Sequence, residues 1–124
     1  MLTNKKFISN YSASEVIFKE NSMGDEMFVI SSGKVRLSTK VDGREVVLAT
    51  LGPGEFFGEM ALVDAAPRSA TATAWEDNTK LVVLDQGKFL YLVGQHPAFA
   101  LIIMRTLCER IRASNPLYSK SSAS

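Results

Sequence analysis

Hydrophobic and polar residues alternate in short segments along the first two thirds of the chain, and turn residues separate these segments. Alternation with a period of two is typical of strands that are buried on one face. Asp42-Gly43 is a strong signal for a two-residue hairpin turn. The predicted strands are 14–21, 27–33, 34–41, 44–51 and 80–85. Short strands joined by Gly, Asp and Asn turns predict an antiparallel jelly-roll barrel over about residues 14–85.

The pattern changes after residue 85, where apolar residues recur at helical spacing. Two helices are predicted within about residues 86–114, and Pro97 fits the first turn of the second. The fold class is therefore mainly β, a barrel followed by two helices, with one domain over residues 1–114 and a disordered tail over 115–124. The last helix has a wide apolar face, which could pack on the barrel or form a homodimer. Cys108 lies on this face, so we expect it to be buried.

Composition narrows the function. The 124 residues suffice for one domain, and 14 basic against 13 acidic residues leave a net charge of +1, which argues against a surface for nucleic acid. The single cysteine favours a reducing, cytoplasmic compartment. No apolar stretch is long enough to span a membrane, and no secretory signal is evident. One histidine cannot build the multi-histidine metal site of a cupin-like enzyme barrel, so this alternative is disfavoured. We expect no metal, no cofactor and no catalytic residue.

The segment 56–74, FFGEMALVDAAPRSATATA, carries the candidate chemistry. Gly58 lets the backbone approach a ligand closely, and a helical turn over 60–63 would offer N–H groups to an anion. Arg68 can add a bidentate, permanently charged clamp on a phosphate, and Ser69 offers a hydroxyl beside it.

A carboxylate at Glu59 repels a phosphate, but it accepts hydrogen bonds from hydroxyls next to that phosphate. A ribose joined to a phosphate would satisfy both charged residues, and the small residues Ala70, Ala72 and Ala74 would leave room for a flat base. The plainer alternative is a surface salt bridge between Glu59 and Arg68, which would contribute little.

The stretch FGEMALVDAAPRSAT resembles the phosphate-binding cassette of cyclic nucleotide-binding domains. These domains occur in bacterial catabolite-activator-type regulators, in protein kinase regulatory subunits and in cyclic nucleotide-gated channels. Three further stretches are similar to the family: GDEMFVISSGKVRL, LGPGEFFGE and HPAFALIIMRTLCERIR. The resemblance covers about residues 14–113. It departs at Ser14 and Asn21, where the family often has glycine.

The resemblance implies a ligand, cyclic AMP or cyclic GMP, and a set of contacts. Glu59 would hold the ribose 2′-hydroxyl and Arg68 the cyclic phosphate. The remaining contacts implied are Ser69 and the amides of Gly58, Met60 and Ala61 around the phosphate, and, with weaker support, Leu37, Leu48, Ala70 and Ser114. The hydroxyl without a methyl at Ser69 favours cyclic AMP with tolerance for cyclic GMP.

We therefore expect a sensor without catalytic activity, in which the ligand moves the C-terminal helix over the barrel. The alternative is a regulator of the same fold that no longer binds nucleotide and works through protein contacts. No helix-turn-helix follows residue 114, so direct nucleic-acid binding is not expected. The output would lie on an effector protein or on a separate domain.

Overall fold

The computed structural model describes residues 7–64 and 66–114, and the chain forms two compact units, the first ending at Gly87 and the second beginning at Lys88. In its described residues the first unit is mainly β, and a short 3-10 helix lies at Glu59–Leu62. Its strands are β1 (Ile8–Tyr11), β2 (Val16–Phe18), β3 (Met27–Ser32), β4 (Val35–Val41), β5 (Arg44–Leu51), β6 (Phe56–Phe57), β7 (Thr71–Ala74) and β8 (Thr79–Leu84). The helices are α1 (Gln86–Gln95) and α2 (Ala98–Ser114).

The strands form two four-stranded antiparallel sheets, in the orders β1-β8-β3-β6 and β2-β7-β4-β5. This confirms the predicted jelly-roll fold followed by two helices. The predicted start at about residue 14 misses an edge strand, because Ile8 to Tyr11 pair with Val82 to Thr79 of β8. The segment before residue 14 has few apolar residues, so its sequence gave no clear alternation.

The hairpin between β4 and β5 forms where Asp42-Gly43 predicts it. Both turn residues have positive φ, 52° and 79°, as a type I′ turn requires. Ladder pairs run from Val41↔Arg44 at the turn to Val35↔Leu51 at the far end. The register shifts between Leu37 and Ser38, which leaves Leu48 as the extra residue of a bulge in β5.

The core of the β body consists of inward side chains from both sheets. Its buried members include Phe28, Ile30, Val35, Phe57, Ala72 and Leu81. The rings of Phe18, Phe28 and Phe57 form one aromatic cluster, with centroid distances of 5.1–5.9 Å. Ala72 and Ala74 on β7 are fully buried, so the alternation of Thr and Ala along this strand puts the alanines in the core. The aromatic cluster lies at the end of the body that carries the 3-10 helix.

In the helical unit, Leu92 of α1 and both Phe99 and Ile103 of α2 are buried, and the rings of Phe89 and Phe99 lie 5.9 Å apart. The expectation that Cys108 is buried is wrong, because it is exposed. The apolar face of α2 is wider than its buried side. Its exposed apolar residues are Leu101, Ile102, Met104 and Ile111. No helix among the described residues combines the length and the apolar character needed to cross a membrane. The predicted tail, 115–124, lies outside the described residues.

Candidate functional site

The candidate site begins with a tight turn directly after β6. Gly58 has φ 74° and ψ 13°, the left-handed conformation that favours glycine, and the 3-10 helix follows it. The Gly58 carbonyl accepts a hydrogen bond from the Ala61 amide at 3.3 Å, which closes the turn. The Ala61 amide, predicted to be open to a phosphate, is therefore already engaged within the turn.

Arg68 lies at the other end of the cassette, and its backbone is fixed to the turn after β2. The Arg68 amide donates to the Ser22 carbonyl, and the Asn21 amide donates to the Arg68 carbonyl, both at 2.8 Å. Asn21 has φ 70°, a left-handed conformation that Asn tolerates better than most residues. Ser14, the other departure from family glycine, has φ 72°.

The Arg68 side chain turns inward, and the residue is only 8% exposed. Its Nη1 donates to the Gly58 carbonyl at 3.1 Å, and its Nη2 donates to the Glu26 carbonyl at 2.8 Å. The guanidinium carbon lies 4.2 Å from the centroid of the Phe18 ring. Among the described residues, the buried Nε has no hydrogen-bond partner. The guanidinium is thus held by two main-chain dipoles and one aromatic face, with one buried donor left over.

The electrostatics of this side chain follow from its burial. Loss of solvent lowers the pKa of the Arg68 guanidinium, since burial disfavours the charged form. The negative charges of Glu26, Asp25 and Glu59 act in the opposite direction on this pKa. Arginine nevertheless remains charged in proteins, so a permanent cation lies beneath the cassette turn.

The structure brings together some of the predicted contact residues. Gly58 and Arg68 are in direct hydrogen-bond contact, and Glu59 at the start of the 3-10 helix is close enough to influence the arginine's pKa. Ser69 is exposed directly after Arg68, whereas Ala70 is buried. Met60 points outward, with 60% of its surface exposed.

The weaker predicted contacts lie farther from the cassette in the chain. Leu37 is half-buried, and its neighbour across the sheet is Ala72 of β7. Leu48, the extra residue of the bulge in β5, is 55% exposed, and the residues before it in this strand are exposed as well. Ser114 belongs to the helical unit, where its hydroxyl donates to the Ile111 carbonyl at 3.1 Å.

A cavity of about 540 Å³ opens beside the cassette. It is lined by Met23, Gly24 and Asp25 on one side and by residues 61–64 on the other. Of the predicted contact residues, only Ala61 contributes to this lining, and neither Glu59 nor Arg68 does. The cavity therefore adjoins the predicted phosphate contacts at Ala61 and does not reach the two charged residues.

Three residues that touch the guanidinium were missed by the sequence reasoning: Phe18, Gly24 and Glu26. A Cβ at Gly24 would lie 2.5 Å from Arg68 Nη2, so that position must leave room for the arginine. Glu26 contributes only its carbonyl, which no side-chain pattern reveals. Gly24 and Glu26 do belong to the stretch GDEMFVISSGKVRL that is similar to the family, but neither that similarity nor the Gly-Asp turn pair indicates a contact with Arg68.

Comparison with known proteins places this geometry in a family. The family model for the cyclic nucleotide-binding domain matches residues 8–96. The cyclic AMP receptor protein of Thermus thermophilus is 41% identical over 106 residues, which is 85% of this chain and 49% of that protein. The cGMP-dependent protein kinase of Toxoplasma gondii is 35% identical over 109 residues, 86% of this chain and 10% of the kinase.

A solved structure is similar in three dimensions as well. The crystal structure of the Thermus thermophilus catabolite activator protein superposes with a TM-score of 0.78 at 38% identity, covering 93% of this chain and 54% of that one. The chain thus spans about half the length of its bacterial relative.

Proposed function

Because the chain belongs to the cyclic nucleotide-binding domain family, we propose that it binds a cyclic nucleotide through its cassette, with cyclic AMP preferred over cyclic GMP. The observation that carries the proposal is the Arg68 guanidinium. It is a nearly buried cation next to the left-handed turn at Gly58, and its Nε has no partner among the described residues. A buried donor without a partner is costly, and a phosphate oxygen is an acceptor that could relieve this cost.

In this proposal Glu59 and Arg68 bind different parts of the nucleotide. The arginine supplies the charge that the cyclic phosphate needs, and the carboxylate accepts the ribose hydroxyl. The half-buried position of Glu59 at the start of the 3-10 helix supports this division, since the Arg68 guanidinium donates to the carbonyl of the preceding residue, Gly58. Ser69 is exposed beside the clamp and would give the phosphate or the base a hydroxyl.

The base preference rests on Ser69. The similar proteins include both a cyclic AMP receptor protein and a cGMP-dependent protein kinase, so their names point to both ligands. A serine lacks the methyl group of threonine, and for this reason we favour cyclic AMP.

We further propose that the domain regulates another protein or domain and catalyses no reaction itself. The relatives carry this type of module as 49% and 10% of longer proteins, which is consistent with a regulatory part. The ligand would act by favouring one position of the C-terminal helix, and the size of the response would be set by its differential affinity for the two positions.

Calorimetric titration of the purified chain with cyclic AMP, cyclic GMP and 5′-AMP tests the proposal. We expect saturable binding of a cyclic nucleotide, tighter for cyclic AMP, and no binding of the non-cyclic control. Arg68→Ala should abolish the heat, whereas Arg44→Ala, which removes an exposed arginine at the β4–β5 hairpin, should leave it unchanged. Absence of binding by the unsubstituted chain would overturn the proposal and favour a regulator that acts through protein contacts.

A further inference from the structure

The Phe18 ring, at the end of β2, lies directly against the Arg68 guanidinium. The guanidinium carbon is 4.2 Å from the centroid of this ring and 5.8 Å from that of Phe28. A cation over an aromatic face is attracted by the ring quadrupole, most strongly where water is excluded. Because Phe18 itself packs against Phe28 and Phe57, its ring is a fixed support for the charged group.

Gly24 lies against the guanidinium as well, and a side chain there would displace it. A Cβ at this position would be 2.5 Å from Nη2, 2.8 Å from Nε and 2.9 Å from Cζ of Arg68. Gly24 is not among the glycines with positive φ, so its backbone conformation is open to other residues. The requirement for glycine here is therefore one of space around the arginine.

We propose that Phe18 and Gly24 are positioning residues of the phosphate clamp: they hold the Arg68 guanidinium in one orientation and so set the affinity for a cyclic nucleotide without touching it. This inference rests on the proposed function, in which Arg68 binds the cyclic phosphate.

The hydrogen bonds of the guanidinium explain why orientation matters. Nη1 and Nη2 are each bound to a main-chain carbonyl, so the plane of the group is fixed before any ligand arrives. Arginine binds phosphate through a rigid fork of donors, and a fork that is already oriented loses less conformational freedom on binding. Removing the ring or adding a Cβ would free or displace the fork while leaving its charge in place.

The first measurement needs no nucleotide. In a proton–nitrogen NMR spectrum of the whole chain, the Arg68 Nε–H signal is assigned by its absence in Arg68→Lys. We expect this signal to be shifted by the ring current of Phe18 and protected from exchange with water. Both properties should be lost in Phe18→Leu and in Gly24→Ala. A signal at the position of a solvent-exposed arginine in the unsubstituted chain would overturn the inference.

The second measurement is the dissociation constant for cyclic AMP. Phe18→Leu should weaken binding about 3- to 30-fold, the range that a desolvated cation–π contact spans. Gly24→Ala should weaken it by at least as much, since the methyl group occupies the place of the guanidinium. The matched control is Gly52→Ala, because a Cβ there would meet only Glu55 Oε2, at 3.9 Å, and we expect no change in affinity.

A structural effect is separated from a positioning effect in two ways. Phe28→Leu removes an equally large and more deeply buried ring from the same cluster, so it should cost more stability but less affinity than Phe18→Leu. In Arg68→Lys, adding Phe18→Leu should weaken binding little further, because the group that the ring positions is already gone.

The outcomes distinguish this inference from the proposed function. If the unsubstituted chain binds no cyclic nucleotide, both are overturned. If it binds but Phe18→Leu and Gly24→Ala retain its affinity, only the positioning role is overturned. The same holds if Phe28→Leu weakens binding as much as Phe18→Leu, or if the two effects of the double variant simply add.

Discussion

Replacing Arg68 with lysine should destabilise the domain even when no nucleotide is present. The substitution keeps the positive charge but removes the planar fork. In the structure this fork donates to two carbonyls that are 32 residues apart in the chain, those of Glu26 and Gly58. It thereby ties β3 to the cassette turn. A lysine ammonium is a compact point charge and cannot reach both acceptors with the same geometry.

The expected cost follows from the contacts that are lost. A hydrogen bond to a charged group contributes about 1.5–3 kcal/mol, and lysine retains one of the two at best. The contact with the Phe18 ring lies where water is largely excluded and contributes about 0.5–2 kcal/mol more. Removing the buried Nε, which has no partner among the described residues, returns part of this cost. We therefore expect the free energy of unfolding to fall by about 2–4 kcal/mol.

Urea unfolding, monitored by circular dichroism, measures this change in the free energy of unfolding. The comparison is valid if this free energy decreases with urea concentration at the same slope for the unsubstituted chain and for Arg68→Lys. Arg44→Lys is the matched control, since Arg44 is exposed, and it should change the free energy of unfolding by less than about 0.5 kcal/mol. A loss for Arg68→Lys no larger than that of the control would refute the reasoning, because it would mean that the two carbonyl contacts contribute nothing to the fold.

Three further predictions follow from the site and its supports. Arg68→Ala should weaken cyclic AMP binding by several kcal/mol and Glu59→Ala by less, and equal losses in a titration would contradict the division between phosphate and hydroxyl contacts. Ser14 and Asn21 both have a left-handed backbone, which glycine adopts more easily. Ser14→Gly should raise the free energy of unfolding by about 0.5–1 kcal/mol, and Asn21→Gly should raise it by less, because Asn tolerates this conformation better than Ser. Urea unfolding of the two variants would show which gain is larger. Burial, together with the negative charges of Glu15 and Glu26, raises the pKa of the Tyr11 hydroxyl above its usual value of 10.0. At alkaline pH the unfolded chain therefore loses the hydroxyl proton before the folded chain does, and the free energy of unfolding should fall as the pH rises. In unfolding experiments at alkaline pH, the free energy of unfolding of Tyr11→Phe should decrease less with pH. An unchanged dependence on pH would show that another group causes the decrease.

The sequence by itself determined the class of fold and the family. Alternation and the strong turn signal at Asp42-Gly43 predicted β4 and β5 almost to the residue. Helical spacing predicted α1 and α2 because apolar residues recur along one side of each. The cassette residues from Gly58 to Ser69 are contiguous, and this local motif was sufficient to recognise the family. Their contacts with a nucleotide stay a prediction.

Only the tertiary structure decided which distant residues meet. The sequence of β1 alternates little, and this segment is a strand because it pairs with β8 at the edge of the sheet. Cys108 lies on the apolar face of α2, and helical periodicity therefore assigned it to the core. It is exposed, because this face is wider than the side of the helix that is buried. The support of Arg68 depends on a ring and a glycine before β3 and on a carbonyl 42 residues away in the chain. Local pattern encodes which side of an element is apolar, whereas a contact between remote residues depends on how the sheets pair and pack.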